Sequence, residues 1–300
     1  ELDVEQLQVI EGVLIQIGAD VTGFRDYALG VGEDFNAEFQ EAAFAAGVYG
    51  VPTYIVADTD GASTHRYFGR EHLPRIAWHL AGARDRAPDV AYEGVAGAQR
   101  LGPIAKRLAV CVDFKSPAAY LAVQPTIDMA RGIGVQLEWQ IIATPALREP
   151  TEPGSNTDRG VLHKAIRGRY LAEDLQRYAP HALVNLYDTQ RSDLAATGLL
   201  WVIDQHADAD AYIGAVFARY WRQHEGIDTA MDIAEVLAGL GVEAVGFAAF
   251  AEGLGKVRAE AMREDLAANG VANCPTYLLD SEPFQGRQHL PLLRNMIAGL

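Results

Sequence analysis

Apolar residues at Val4, Leu7, Ile10, Val13, Leu14 and Ile17 recur at helical spacing, so the chain opens on an amphipathic helix. Ala19-Asp20 begins a second helix with Asp20 as its cap, and a third over about 33–46 stops at Gly47. Runs at 53–57 and 64–68 read as strands, and a helix over about 71–82 follows. From Ala83 to Gly102-Pro103 the periodicity gives way to Gly, Pro and charge, as in a linker. Leu108–Phe114 is then a short apolar strand, Ser116-Pro117 caps and opens a helix over about 117–132, and Val135–Ile142 is the next strand. A strand–helix–strand unit of this length makes the two strands parallel. Residues 143–160 carry Pro145, Pro150, Pro153, Gly154 and Asn156 and read as a loop. Helical pieces follow at about 161–179, 191–206, 208–225, 229–240, 243–252 and 255–269. Strands return at 276–280 and 282–285, and a helix over about 288–299 closes the chain.

One stretch occurs twice. Gly47-Val-Tyr-Gly-Val-Pro-Thr-Tyr-Ile-Val56 reappears as Gly270-Val-Ala-Asn-Cys-Pro-Thr-Tyr-Leu-Leu279, and Phe68-Gly-Arg-Glu-His-Leu-Pro74 as Gln285-Gly-Arg-Gln-His-Leu-Pro291. Shifting Pro52 onto Pro275, by 223 residues, also places Gly18 on Gly241, Phe24 on Phe247, Gly30 on Gly253 and Gly32 on Gly255. The register holds from Ile10 to Tyr54 without a gap, which identifies an internal repeat. Glu1 then falls on His224, so about 117 residues of the first copy lack a counterpart. The domains expected are a partial repeat over 1–90, a linker over 91–106 and a complete domain over 107–300 with a helical insertion at about 143–269. Either the N-terminus is truncated or residues 1–90 form an accessory lobe. Tyr54, Ile55, Val56 and Phe68 suit burial, and a bare two-stranded hairpin is marginal, so something is expected to cover its inner edge, where the βαβ pair is missing.

Composition narrows the class. A chain of 300 residues with 49% hydrophobic and 22% charged content is an ordinary globular one. A net charge of -15 argues against nucleic acid and against anionic membranes as partners. No apolar run reaches membrane-spanning length, and the acidic start is not a signal peptide, so a cytoplasmic protein is expected. Two cysteines make no disulfide scaffold, and no metal spacing of Cys and His appears.

The order βαβ, helical block, ββα, with a proline opening the third strand, resembles the thioredoxin fold with a helical insertion, in its DsbA-like branch. Redox members begin the first helix with Cys-Pro-x-Cys. Here Ser116-Pro117-Ala118-Ala119 stands instead, and without those sulfurs dithiol exchange through that motif is excluded. Asp113-Phe-Lys-Ser-Pro-Ala-Ala-Tyr-Leu121 is similar to the signature of 2-hydroxychromene-2-carboxylate isomerases and kappa-class glutathione transferases. Arg167-Gly-Arg-Tyr-Leu-Ala-Glu-Asp174, Gly270-Val-Ala-Asn-Cys-Pro-Thr276 and Gly286 through Leu290 match that family's later motifs.

The resemblance implies a glutathione-dependent isomerase or transferase acting on a small conjugated aromatic substrate, with glutathione or another small thiol as cofactor. A thiolate adds to a conjugated double bond; the isomerase lets the bond rotate and expels the thiol, whereas the transferase keeps it attached. It also implies that Ser116 holds the thiolate, that Cys274 before Pro275 pairs through its backbone with the glutathione cysteine, and that Arg287, Gln288 and Asn156 contact the rest of it. Arg167 and Arg169 would face a substrate carboxylate, and a homodimer or an intrachain pseudo-dimer is implied. From the residues alone, Ser116 is a helix cap, Cys274 a small buried spacer, and Arg167 and Arg169 a solvated helix face. Cys111 is expected at the far end of its strand from Cys274. Asp174 is expected to pair with Arg177 or Arg169, and His72 and His289 to be structural. A non-catalytic or thiol-binding protein of the same fold is the alternative function. A disulfide oxidoreductase is third and is disfavoured by the missing sulfurs.

Overall fold

Leu108, Val110, Cys111 and Val112 are all buried, which is the signature of a strand covered on both faces. In the computed structural model this strand, β3 (Arg107–Val112), lies inside a four-stranded sheet. The structure describes residues 2–58, 61, 63–92, 107–151, 158–189 and 191–299. Asn156 and most of the 91–106 linker lie outside them. Before β3 come helices α1 (Leu7–Gln16), α2 (Phe24–Ala28) and α3 (Val31–Ala45), the hairpin β1 (Thr53–Ala57) and β2 (Thr64–Phe68), a 3-10 turn at Arg70–His72, and α4 (Leu73–Leu80). After it come α5 (Pro117–Ile133), β4 (Gln136–Ile141), α6 (Arg159–Tyr178), α7 (Asp193–Asp204), α8 (Ala209–Phe217), α9 (Ala230–Gly239), α10 (Phe247–Glu252), α11 (Leu254–Ala268), β5 (Thr276–Leu279), β6 (Glu282–Gln285), a 3-10 turn at Arg287–His289 and α12 (Leu290–Ala298). The chain folds as two compact units, residues 1–50 with 152–167 and residues 51–151 with 168–300.

The sheet order is β4-β3-β5-β6, with β3 and β4 parallel and the remaining pairs antiparallel. This is the thioredoxin sheet with its βαβ and ββα halves, and α6 to α11 form the helical insertion expected between them. α5 and α12 pack together, and Thr126 of α5 exchanges a 2.9 Å hydrogen bond with the buried Tyr277 hydroxyl of β5. α11 packs against β4, where Leu266 joins Cys111, Ile142 and Val271 in a second apolar cluster.

The two matching sequence stretches share backbone detail. Val51–Pro52 and Cys274–Pro275 are both cis. Gly47 and Gly270 both take left-handed φ, 77° and 79°, which a side chain would resist. Gly69 and Gly286, at φ 102° and 93°, each precede a 3-10 turn and then a helix with proline in its first turn. Consecutive amides of one extended segment join the two turns: Ala91 donates to Glu71 O at 2.9 Å and Tyr92 to Gln288 O at 3.0 Å.

Burial separates the two matching stretches. No residue of α1, α2 or α3 is buried, and Phe35 and Phe39 are exposed. Their counterparts α9 to α11 bury Ile233, Leu237, Phe247, Ala259 and Leu266. In the hairpin Val56 is buried and Tyr54 and Phe68 half-buried, but Ile55 is 55% exposed, against the expectation for it. The outer edge of β2 is met by α6. The Phe68 amide donates to the Tyr170 hydroxyl at 2.7 Å and Arg177 donates to Arg66 O at 2.9 Å, which satisfies groups that a bare edge leaves open.

Candidate functional site at the start of helix α5

Ser116 has extended backbone, and its hydroxyl accepts from the Ala119 amide at 3.3 Å, with Pro117 at the first helical position. This is the cap the local sequence predicts, at the positive end of a 17-residue helix. The turn before it is held by Asp113. One Asp113 carboxylate oxygen accepts from the Ser192 hydroxyl at 2.8 Å and the Lys115 amide at 3.1 Å. The other accepts from the amide and hydroxyl of Thr144 at 2.9 and 3.0 Å. The carboxylate thus joins the β3–α5 turn, the end of β4 and the start of α7 at one point.

Cys274 reaches the same place from the opposite side. Its thiol lies 3.9 Å from Thr144 Oγ1 and beside the Ser116 hydroxyl. Burial pushes the Cys274 thiol up to about 12, although the Ser116 and Thr144 hydroxyls pull the other way. Cys111 also rises to about 12 through burial. Both cysteines are free. Cys111 is not at the far end of its strand. It pairs with Thr276, two residues from Cys274, because it falls in the last third of β3, and Cys274 packs against its cluster.

Lys115 carries the next charge. Its side chain is only 5% exposed, with Nζ 3.1 Å from Asp188 and 2.8 Å from Asp228, and it lies over the Tyr220 ring. The predicted helix over 208–225 breaks here into a π-turn at Ala218–Arg222. That turn presents Tyr220 to Asp188 at 2.7 Å and Trp221 Nε1 to Phe114 O at 2.9 Å, so it pins the segment leading to Ser116. Periodicity could not signal a register change inside one apolar run. Asp113 stood in the quoted signature, but Thr144, Ser192 and Tyr220 had no local signal.

Ser116, Cys274 and Pro275 therefore converge. Arg287 and Gln288 follow the β5–β6 hairpin, where the Gly286 amide donates to Pro275 O at 2.8 Å. The Arg287 side chain turns to Asp89, with Nε 3.0 Å from Oδ1, and stacks over Tyr178. Its Nη2 is buried with no hydrogen-bond partner among the described residues. The Gln288 amide donates back to Gln285 O at 3.1 Å. On α6, Arg167 is exposed and Arg169 half-buried, and Asp174 pairs with Arg177. His72 is buried between Tyr178 and Tyr170, and His289 packs against Tyr92 and Phe284.

Residues 107–298 match the family model of the DsbA-like thioredoxin domain, over the whole region that builds this sheet and site. The chain belongs to that family. Its fold is similar to the solved 2-hydroxychromene-2-carboxylate isomerase, at 23% identity and TM-score 0.50, covering 64% of this chain and 95% of that one. The cytosolic disulfide reductase DsbM from Pseudomonas aeruginosa, solved with GSH, aligns at 15% identity and TM-score 0.44 over 64% and 98% of the two chains. Pseudomonas aeruginosa DsbA aligns at 16% and 0.39 over 67% and 86%. No curated protein sequence matches the chain. In this DsbA-like protein α5 starts at Ser116-Pro117-Ala118-Ala119 and carries no cysteine. No helix among the described residues is long and apolar enough to cross a membrane.

Proposed function

We propose that the chain is a glutathione-dependent isomerase or transferase that acts on a small conjugated aromatic substrate. The observation that carries this reading is the replacement of the redox sulfurs by Ser116, whose hydroxyl caps α5 beside the cis-proline loop. A hydroxyl donor at a helix N-terminus suits a thiolate supplied from outside, and the helix end favours the anion. Glutathione then brings the nucleophile, and the protein lowers its pKa and orients it. The Cys274 backbone before Pro275 would pair with the glutathione cysteine, and the orphan Nη2 of Arg287 would take a carboxylate. Asn156, Gln288, Arg167 and Arg169 remain proposed contacts. Residues 1–90 are read as the later half of a second copy, with a homodimer or an intrachain pseudo-dimer as the assembly.

A thiol-binding protein without turnover is the second reading. Asp89 already occupies Arg287 Nε and Gln288 folds back on Gln285, so the γ-glutamyl end of glutathione has fewer free partners. A turnover assay with a 2-hydroxychromene-type carboxylate, with and without glutathione, separates the two. Turnover that requires glutathione supports the enzyme; glutathione binding with no turnover of any conjugated aromatic supports the binding protein.

A further inference from the structure

The first hairpin carries a cluster that the site at Ser116 does not use. Asp58 follows β1, His65 lies in β2 and His79 in the last turn of α4. His79 Nε2 lies 2.8 Å and His65 Nε2 3.3 Å from the same oxygen, Asp58 Oδ1. One ligand atom from each of the three falls within 4.8 Å of the others. We propose that Asp58, His65 and His79 form a binding site for a zinc-class divalent transition-metal ion.

The geometry fits. Ligand atoms about 2.0–2.1 Å from a tetrahedral ion stand about 3.3 Å apart, so the two separations to Asp58 need to change by at most about half an ångström, and the two imidazoles, within 4.8 Å of each other, need to close by at most about 1.5 Å. Two imidazoles and one carboxylate are a ligand set that zinc accepts, and three protein ligands leave the fourth position to water or a ligand. The backbone around Asp58 is tied on both sides: its amide donates to Ser63 O at 2.9 Å and its carbonyl accepts from Gly61 at 2.8 Å. All three side chains are partly exposed, which gives the ion a way in. The fold does not demand these residues. In the repeat register their counterparts are Ser281, Glu282 and Met296, so the trio belongs to the first copy alone. A bound ion would tie the turn end of the hairpin to α4. The competing account is that two neutral imidazoles each donate to Asp58 Oδ1 with no metal.

Cobalt titration of the chelator-stripped full chain separates these accounts. A visible ligand-field band saturating at one Co²⁺ per chain is expected, abolished by added Zn²⁺, and Zn²⁺ should raise the melting temperature. Asp58→Asn, His65→Gln and His79→Gln should each weaken binding by about 100-fold or more, since even outer partners of a metal ligand are worth about 10–100-fold. His206→Gln, at an exposed histidine elsewhere, should change nothing. If His79→Gln melts early in the metal-free state, the more exposed His65→Gln decides alone. No saturable band, or a band indifferent to His65→Gln, would overturn the site.

Discussion

Lowering the pH from about 7 to about 5 should destabilise the protein through His72. The ring is 3% exposed, with Nδ1 2.8 Å from the Tyr178 hydroxyl and Nε2 3.3 Å from that of Tyr170. Burial is the main cause that lowers its pKa to about 4, and Arg177 and Arg287 lower it further while Glu71 opposes them. In the unfolded chain the ordinary value is about 6.5. Between these values the unfolded state binds a proton that the folded state refuses. The stabilisation is therefore complete above pH 6.5 and is lost as the pH falls toward 4. At about 1.4 kcal/mol per unit, the two pKa values give a loss of about 2 kcal/mol between pH 7 and pH 5. Asp174, whose carboxyl burial pushes up, acts in the opposite direction, and His289, lowered by burial, acts in the same one. The comparison is therefore the pH dependence of wild type against that of His72→Gln, which removes the ring's titration along with its pH-independent contacts to Tyr170 and Tyr178. Urea unfolding of both at each pH, followed by far-UV circular dichroism, reads the difference. The wild type should lose about 2 kcal/mol more than the variant over that interval. Equal losses would mean that His72 is protonated in the folded protein and that its reading as a neutral buried ring is wrong.

Ser116→Ala should cost about 1 kcal/mol by thermal melting, for the lost cap. Under the proposed function it should also slow turnover by about 100-fold, as loss of one oxyanion-type donor does; unchanged turnover would remove Ser116 from the chemistry. Cys274, with its thiol pushed up to about 12, should resist iodoacetamide and form no mixed disulfide with oxidised glutathione near pH 7 in the folded state, as mass spectrometry would record. Rapid modification would show that the thiol is exposed and ionised. Tyr277→Phe should lower stability by about 1–3 kcal/mol by removing a buried partner of Thr126, and an unchanged melting temperature would deny that bond a role.

Much of this architecture was legible because the chain marks it locally. Ser116-Pro117 is a cap by composition, Gly47 and Gly270 end helices because both need positive φ, and the alternation from short apolar runs to helical spacing sets the element order. Sequence identity between the two stretches placed similar turns at Gly69 and Gly286. What stayed hidden depends on residues far apart in the chain. Asp113 gathers Thr144 and Ser192, 31 and 79 residues away, and no local spacing announces such a meeting. Cys111 was misplaced because its position along β3 depends on the register against Thr276, which the apolar run does not mark. The exposure of Ile55 reflects which face of a two-stranded hairpin finds a partner, and alternation cannot supply that. Asp58, His65 and His79 come from three elements, so no motif announced them.

Ultraviolet titration of the protein with glutathione tests the central claim most directly. The thiolate absorbs where the thiol does not, and α5 with the Ser116 hydroxyl should stabilise it. Glutathione added near pH 7 should give a saturable thiolate band with the wild type and a much weaker one with Ser116→Ala. No binding at millimolar glutathione, or an equal band with Ser116→Ala, would contradict the account of a thiolate site at the start of α5.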